Sequence, residues 1–75
     1  AIKIHLGRLL GERKLRAADV ARDTGINKNT LSSLYHEKVS GIRFETLETL
    51  CRYFDCSVED ILEYVPKEKK NSSKN

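Results

Sequence analysis

The chain has little to staple itself with. Two cysteines, Cys51 and Cys56, stand among 75 residues. They allow one bridge at most, which is not the framework of a small secreted protein. With only two histidines beside them, a four-ligand zinc site of Cys and His cannot be built within one chain. Long apolar runs are absent too, so no stretch reads as a membrane span, and no signal peptide is visible. These absences set the expectation of a cytoplasmic protein that holds no metal or other cofactor. A chain this short makes one domain at most and buries a small core. Helical contacts, which are local, suit that size.

Charge is present, and it is unevenly distributed. Residues 1–43 carry nine Lys/Arg against four acids, a balance of +5. Residues 44–66 carry one base against six acids, a balance of −5. The segment 67–75 returns to +3 and contains no apolar residue. The body, residues 1–66, is therefore neutral but polarised. Such a domain can turn a basic side to phosphates and an acidic side away. The stretch 67–75 is expected to be a disordered basic tail.

Apolar spacing marks five short helices. Leu6, Leu9 and Leu10 predict the first, over roughly 5–14. The second, roughly 17–24, lacks a good N-cap at Arg16 or Ala17, and Asp19 in its first turn compensates in part. Gly25 ends it, since glycine takes a left-handed conformation without a Cβ clash. Asn27 is an N-cap for the third, roughly 28–36. After a loop over Glu37–Arg43, a fourth helix of 44–54 places Phe44, Leu47, Leu50, Cys51 and Phe54 on one stripe. Ser57 and Asp60 resemble a capping box for a fifth helix, about 58–63, that buries Val58, Ile61 and Leu62 before Pro66 stops it. Ile2-Lys3-Ile4-His5 alternates like a short strand. With Tyr64 and Val65, Ile2 and Ile4 form a second apolar group, suited to a small strand pair or a dimer contact. The expected fold class is all-α, a compact five-helix bundle.

Function is concentrated in "VARDTGINKNTLSSLY". Two helices joined by a short turn need a small residue where they approach, and Ala21 supplies it. They need a residue tolerant of positive φ in the turn, which is Gly25. An apolar plug and stripe come from Ile26, Leu31 and Leu34. This is a helix-turn-helix arrangement. At about 100° per residue, Leu31, Leu34 and Tyr35 fall on one side of the third helix. Lys28, Asn29, Ser32, Ser33 and His36 fall on the other. Asn can pair with adenine, Lys can reach guanine acceptors, and Ser can address several base edges. Three of the four leading residues are middling helix formers, where a solvated face favours Glu, Lys, Arg or Ala.

On the segments "LGRLLGERKL", "DVARDTGINKNTLSSLY" and "ETLETLCRYFDCSVEDILEYVP", the chain resembles phage-repressor/Cro-type helix-turn-helix domains, also called the xenobiotic-response-element type. The resemblance covers residues 4–65. It implies a λ-repressor-like bundle whose third helix enters the major groove of double-stranded DNA. By that resemblance Lys28, Asn29, Ser32 and Ser33 contact bases, and Arg16, Asn27, His36 and Lys38 contact the DNA backbone. Arg22 and Arg43 are further backbone candidates. Two positions depart from the family pattern. A Gln common at the start of helix two is Ala17 here, which leaves Arg16 as the nearest phosphate contact. An Asn-Gly pair common after helix three is His36-Glu37, and Glu37 would be repelled by phosphate unless it turns away. A homodimer on a palindromic site follows from the few contacts one small domain makes. The competing reading is a protein-interaction module, an antitoxin or adaptor, on the same fold without DNA binding. An enzyme is not expected, because no nucleophile–base pair or phosphate loop is visible.

Overall fold

The computed structural model describes residues 1–66, and the tail expected to be disordered, 67–75, lies outside the described residues. The chain runs β1 (Ile2–Ile4), α1 (Leu6–Arg13), α2 (Ala17–Thr24), α3 (Lys28–Tyr35), α4 (Phe44–Phe54), α5 (Val58–Ile61) and β2 (Leu62–Tyr64). The helices bury the apolar stripes that define them. Leu6, Leu9, Leu10, Val20, Leu31, Leu34, Leu50, Phe54 and Ile61 form one core, each at most 5% exposed. Every helix contributes to it, so no helix can leave without opening it.

How the helices end determines how they pack. In α1, the N–H of Leu15 reaches the carbonyl of Leu10 and Lys14 takes the left-handed conformation (φ 55°). The N–H of Lys38 reaches Ser33 after α3, with Glu37 left-handed (φ 58°). The N–H of Cys56 reaches Cys51 after α4, with Asp55 left-handed (φ 53°). Each is a Schellman closure, which satisfies carbonyls the helix would leave bare. Glycine is the usual left-handed residue there, and a side chain in its place is strained. Only α2 uses glycine, where the N–H of Gly25 (φ 81°) bonds the Ala21 carbonyl at 2.9 Å.

The all-α expectation is corrected by a two-stranded sheet. β1 pairs antiparallel with β2 in the register Ile2↔Tyr64, Lys3↔Glu63, Ile4↔Leu62. Bonds from His5 N–H to the Ile61 carbonyl and from Val65 N–H to the Ala1 carbonyl, both 2.7 Å, extend the ladder at either end. His5 Nε2 meets Glu63 Oε1 at 2.7 Å beside it. The pairing also shortens the fifth helix. α5 ends at Ile61 and Leu62 is already extended, so Pro66 does not stop it. Ile61 is buried as expected, Leu62 is half-buried from the strand, and Val58 is 47% exposed. The stripe on α4 is also corrected at its start. Leu50 and Phe54 are buried, Leu47 and Cys51 are half-buried, and Phe44 is 85% exposed.

Candidate nucleic-acid interface

The turn between α2 and α3 is three residues long, Gly25 to Asn27. Its polar groups are accounted for locally. The Thr24 hydroxyl donates to the Val20 carbonyl at 2.6 Å and accepts the Ile26 N–H at 3.2 Å. The Asn27 side chain accepts the Asn29 N–H at 2.7 Å, capping α3 as its residue type predicts. Ile26 and Ala21 pack half-buried against the core, while Leu31 and Leu34 are buried in it. Of the five residues expected to build the helix-turn-helix, four meet the core and Gly25 holds the left-handed turn. The weak start of α2 is repaired as expected, because the Asp19 carboxylate accepts the Arg16 N–H at 2.9 Å.

With Leu31 and Leu34 anchored inside, the opposite face of α3 is open. Lys28, Asn29 and Ser32 are exposed, and Ser33 is half-buried at the margin. An open groove of about 450 Å³ runs along this face. Arg16, Lys28, Ser32 and His36 all line it, so α2 and α3 bring four of the eight expected contact residues together. Asn27 faces a different recess, with Thr30, Arg43 and Thr46. Lys38 is exposed beyond the helix end, held there by its N–H bond to the Ser33 carbonyl. Ala17 lines the first groove as well.

The floor of the groove was missed from the sequence. Gly7 and Gly11 of α1 both line it, together with Tyr35. A Cβ on Gly7 would lie 3.2 Å from Tyr35 Cε1, so the ring rests directly on the helix backbone. Tyr35 in turn meets the His36 ring edge-on at 5.0 Å, which orients the imidazole at the groove's end. The available signal was the spacing of the two glycines. Four residues apart, they share one face of α1, and at Gly7 the missing side chain lets Tyr35 approach closely.

The charges divide into engaged and free. Arg22 is engaged, bonding Asp23 at 3.1 Å and Asp19 at 3.2 Å. The Arg16 N–H, then the Arg16 and Arg22 charges, hold the Asp19 carboxyl below its ordinary value. Asp23 is lowered likewise, first by the Tyr53 hydroxyl, which donates to it at 2.7 Å, and then by Arg22. Arg43 is paired with Glu45 at 3.0 Å. Arg16 is 86% exposed with a long 3.8 Å approach to Asp19, and neither Lys28 nor Lys38 is in an ion pair among the described residues. Among the described residues, Lys28 and Lys38 thus stand without an ion pair at either end of α3, as do Lys3, Arg8, Lys14 and Arg52 elsewhere in the fold.

Glu37 is turned away from that set. In its left-handed position its carboxylate accepts the Ile4 N–H at 3.1 Å, tying the end of α3 to β1. The bond also occupies a donor on the outer edge of β1, which a bare edge strand would offer to another chain.

Among the described residues, no group of three or more His, Cys, Asp or Glu side chains is placed to hold a metal ion. No helix among the described residues is long and apolar enough to cross a membrane. A family model for the Cro/C1-type helix-turn-helix DNA-binding domain matches residues 5–67. The chain is also 38% identical over 64 residues to the uncharacterized HTH-type transcriptional regulator YozG of Bacillus subtilis (strain 168), across 85% of this chain and 76% of the relative. No solved structure matches it significantly.

Proposed function

Since the chain belongs to the Cro/C1-type helix-turn-helix DNA-binding family, we propose that it is a sequence-specific transcriptional regulator whose α3 enters the major groove. The observation that carries this reading is the open polar face of α3, with Lys28 and Lys38 unpaired at its ends among the described residues and its apolar face locked in the core. Lys28, Asn29, Ser32 and Ser33 read base edges. Short side chains let the helix lie deep, and each good paired contact discriminates by roughly 1–3 kcal/mol. Arg16, His36 and Lys38 take phosphates on one flank. Asn27 takes one on the other, from the recess it shares with Arg43. Phosphate contacts supply affinity and orientation, and base contacts supply selectivity.

A single domain of this size makes few contacts, so the working form is a homodimer on a palindromic site. The test is selection of bound duplex from a random library, then titration of the selected site with Lys28→Ala/Asn29→Ala. The reading expects a two-fold symmetric site and a variant that binds it little better than random DNA. No duplex affinity even at low salt would instead favour an interaction module on the same fold.

A further inference from the structure

Helices α1 and α4 end in the same closure, but the side chains it brings together differ. In a Schellman motif, the residue whose N–H returns to the helix also meets, by its side chain, the residue whose carbonyl it reaches. After α1 that pair is Leu10 and Leu15, two leucines that pack on the core. After α4 it is Cys51 and Cys56, both free thiols. Leucines in these places can only pack. Thiols can also react.

The backbone holds the two cysteines within bridging range. The Cys56 N–H meets the Cys51 carbonyl at 3.0 Å. With standard bond lengths, that link keeps the two Cα atoms within about 7 Å even at full stretch. Beyond about 7 Å two cysteines cannot be bridged without moving the backbone. Asp55, left-handed at φ 53°, turns the chain back between them. The thiols also sense each other. Burial first, then the charges of Cys51 and Asp60, hold the Cys56 thiol above its ordinary value, opposed by Arg13. A thiol so raised is a poor leaving group, so a disulfide that ends on it resists reduction. The pair is reachable as well. Both residues are half-buried and line an open groove of about 770 Å³ between α4 and α5, beside Leu47 and Val58.

We propose that Cys51 and Cys56 form a redox-modification site, a dithiol that a low-molecular-weight disulfide oxidises to one intramolecular bridge. The thiolate of one cysteine attacks a sulfur of the small disulfide and expels one thiol, leaving a mixed disulfide. The second cysteine gives its proton to water, attacks the protein sulfur of that mixed disulfide and expels the other thiol. Two protons and two electrons pass from the protein to the small disulfide, which leaves as two thiols. The bridge pins the end of α4 in its left-handed closure. The preference that the fold gives the bridge equals the stability that the bridge gives the fold.

The test equilibrates the full chain with reduced and oxidised glutathione, folded and in concentrated urea, and identifies the products by mass after acid quenching. The unfolded chain has the same sequence spacing, so the comparison isolates what the fold adds. The folded chain should yield a single chain lighter by two hydrogens. Its equilibrium constant should be at least about tenfold above that of the unfolded chain, with a thermal midpoint raised by on the order of 5–10 °C. Cys51→Ala and Cys56→Ala should give glutathione adducts alone. An equal or smaller constant in the folded chain overturns the proposal, since the pair would then only pack, as Leu10 and Leu15 do. So do mixed adducts as the sole product of the wild type, and so does a bridge between two chains.

Discussion

The faces around α3 and around α4–α5 rest on one core and carry opposite chemistry. On α3, Leu31 and Leu34 are buried and the side chains turned outward are short and polar or basic, apart from the half-exposed ring of Tyr35. On α4 and α5, Leu50, Phe54 and Ile61 are buried, yet Phe44 and Val58 remain outside among acids. The first face has donors and acceptors without partners. The second has apolar area without cover. A hydrogen-bonding face suits a solvated, charged polymer whose edges vary with sequence, and an apolar one suits another protein surface. The charges differ as well: Arg16 and Lys28 line the first face, and Glu45 and Glu48 line the second.

The strongest way to break this comparison is to remove what both faces share. Leu31→Ala deletes a side chain with no exposure, and a buried leucine truncated to alanine costs about 2–5 kcal/mol. In so small a domain, chemical denaturation should show most of the stability gone, with both faces lost together. A selective loss of DNA binding with intact stability would mean that α3 does not anchor the core.

The next effect should separate the faces. Lys28→Ala/Asn29→Ala removes side chains that touch nothing in the core, so thermal stability stays within about 0.5 kcal/mol of the wild type. Affinity for a selected site should fall by roughly 1–3 kcal/mol for each base that either side chain pairs with. Arg16→Ala and Arg22→Ala sharpen the distinction between a loosely and a firmly paired charge. The first should weaken binding to all duplexes and lower the salt slope by about one. The second should leave both nearly unchanged, because its guanidinium already bonds Asp19 and Asp23.

Glu37 tests the link between α3 and the sheet. Glu37→Gln keeps an acceptor for the Ile4 N–H and should retain stability. Glu37→Ala loses the bond and keeps the left-handed strain, and should cost about 1 kcal/mol. Glu37→Gly loses the bond but relieves the strain, so denaturation should place it between the two.

These links show where the sequence was readable. The helix-turn-helix was legible because its signals are local: Gly25 in a left-handed turn, Asn27 at the cap of the next helix, and apolar residues at helical spacing. The end of α5 was not legible. Val58, Ile61 and Leu62 fit a helical stripe, and what makes Leu62 a strand residue is Ile4, 58 positions earlier. The Glu37 bond spans 33 positions, which no periodicity reports. Phe44 fits the stripe of α4, but a stripe gives a direction without saying whether another element reaches that far. The helix ends at Lys14 and Asp55 lacked their usual glycine, so their left-handed geometry had no residue signal.

The smallest effects should appear in acid. Asp19 is lowered chiefly by the Arg16 N–H, Asp23 by the Tyr53 hydroxyl and Asp60 by the Ser57 N–H and hydroxyl. A carboxyl whose native pKa is depressed stabilises the fold fully above its unfolded value, here 3.8. That contribution disappears as pH falls through the lower native values. Thermal midpoints should therefore be level with respect to these three groups above that range and decline below it. Asp60→Asn should lower the plateau slightly and flatten part of the decline.

The central claim is that the face of α3, and not that of α4–α5, meets DNA. Titrating isotope-labelled protein with its selected duplex and following backbone amide resonances tests it most directly. The account predicts the largest shifts at Arg16, Lys28, Asn29, Ser32, Ser33, His36 and Lys38, with the Arg22 amide nearly unshifted. Shifts gathered on Phe44, Glu48 and Val58 with α3 silent would contradict it.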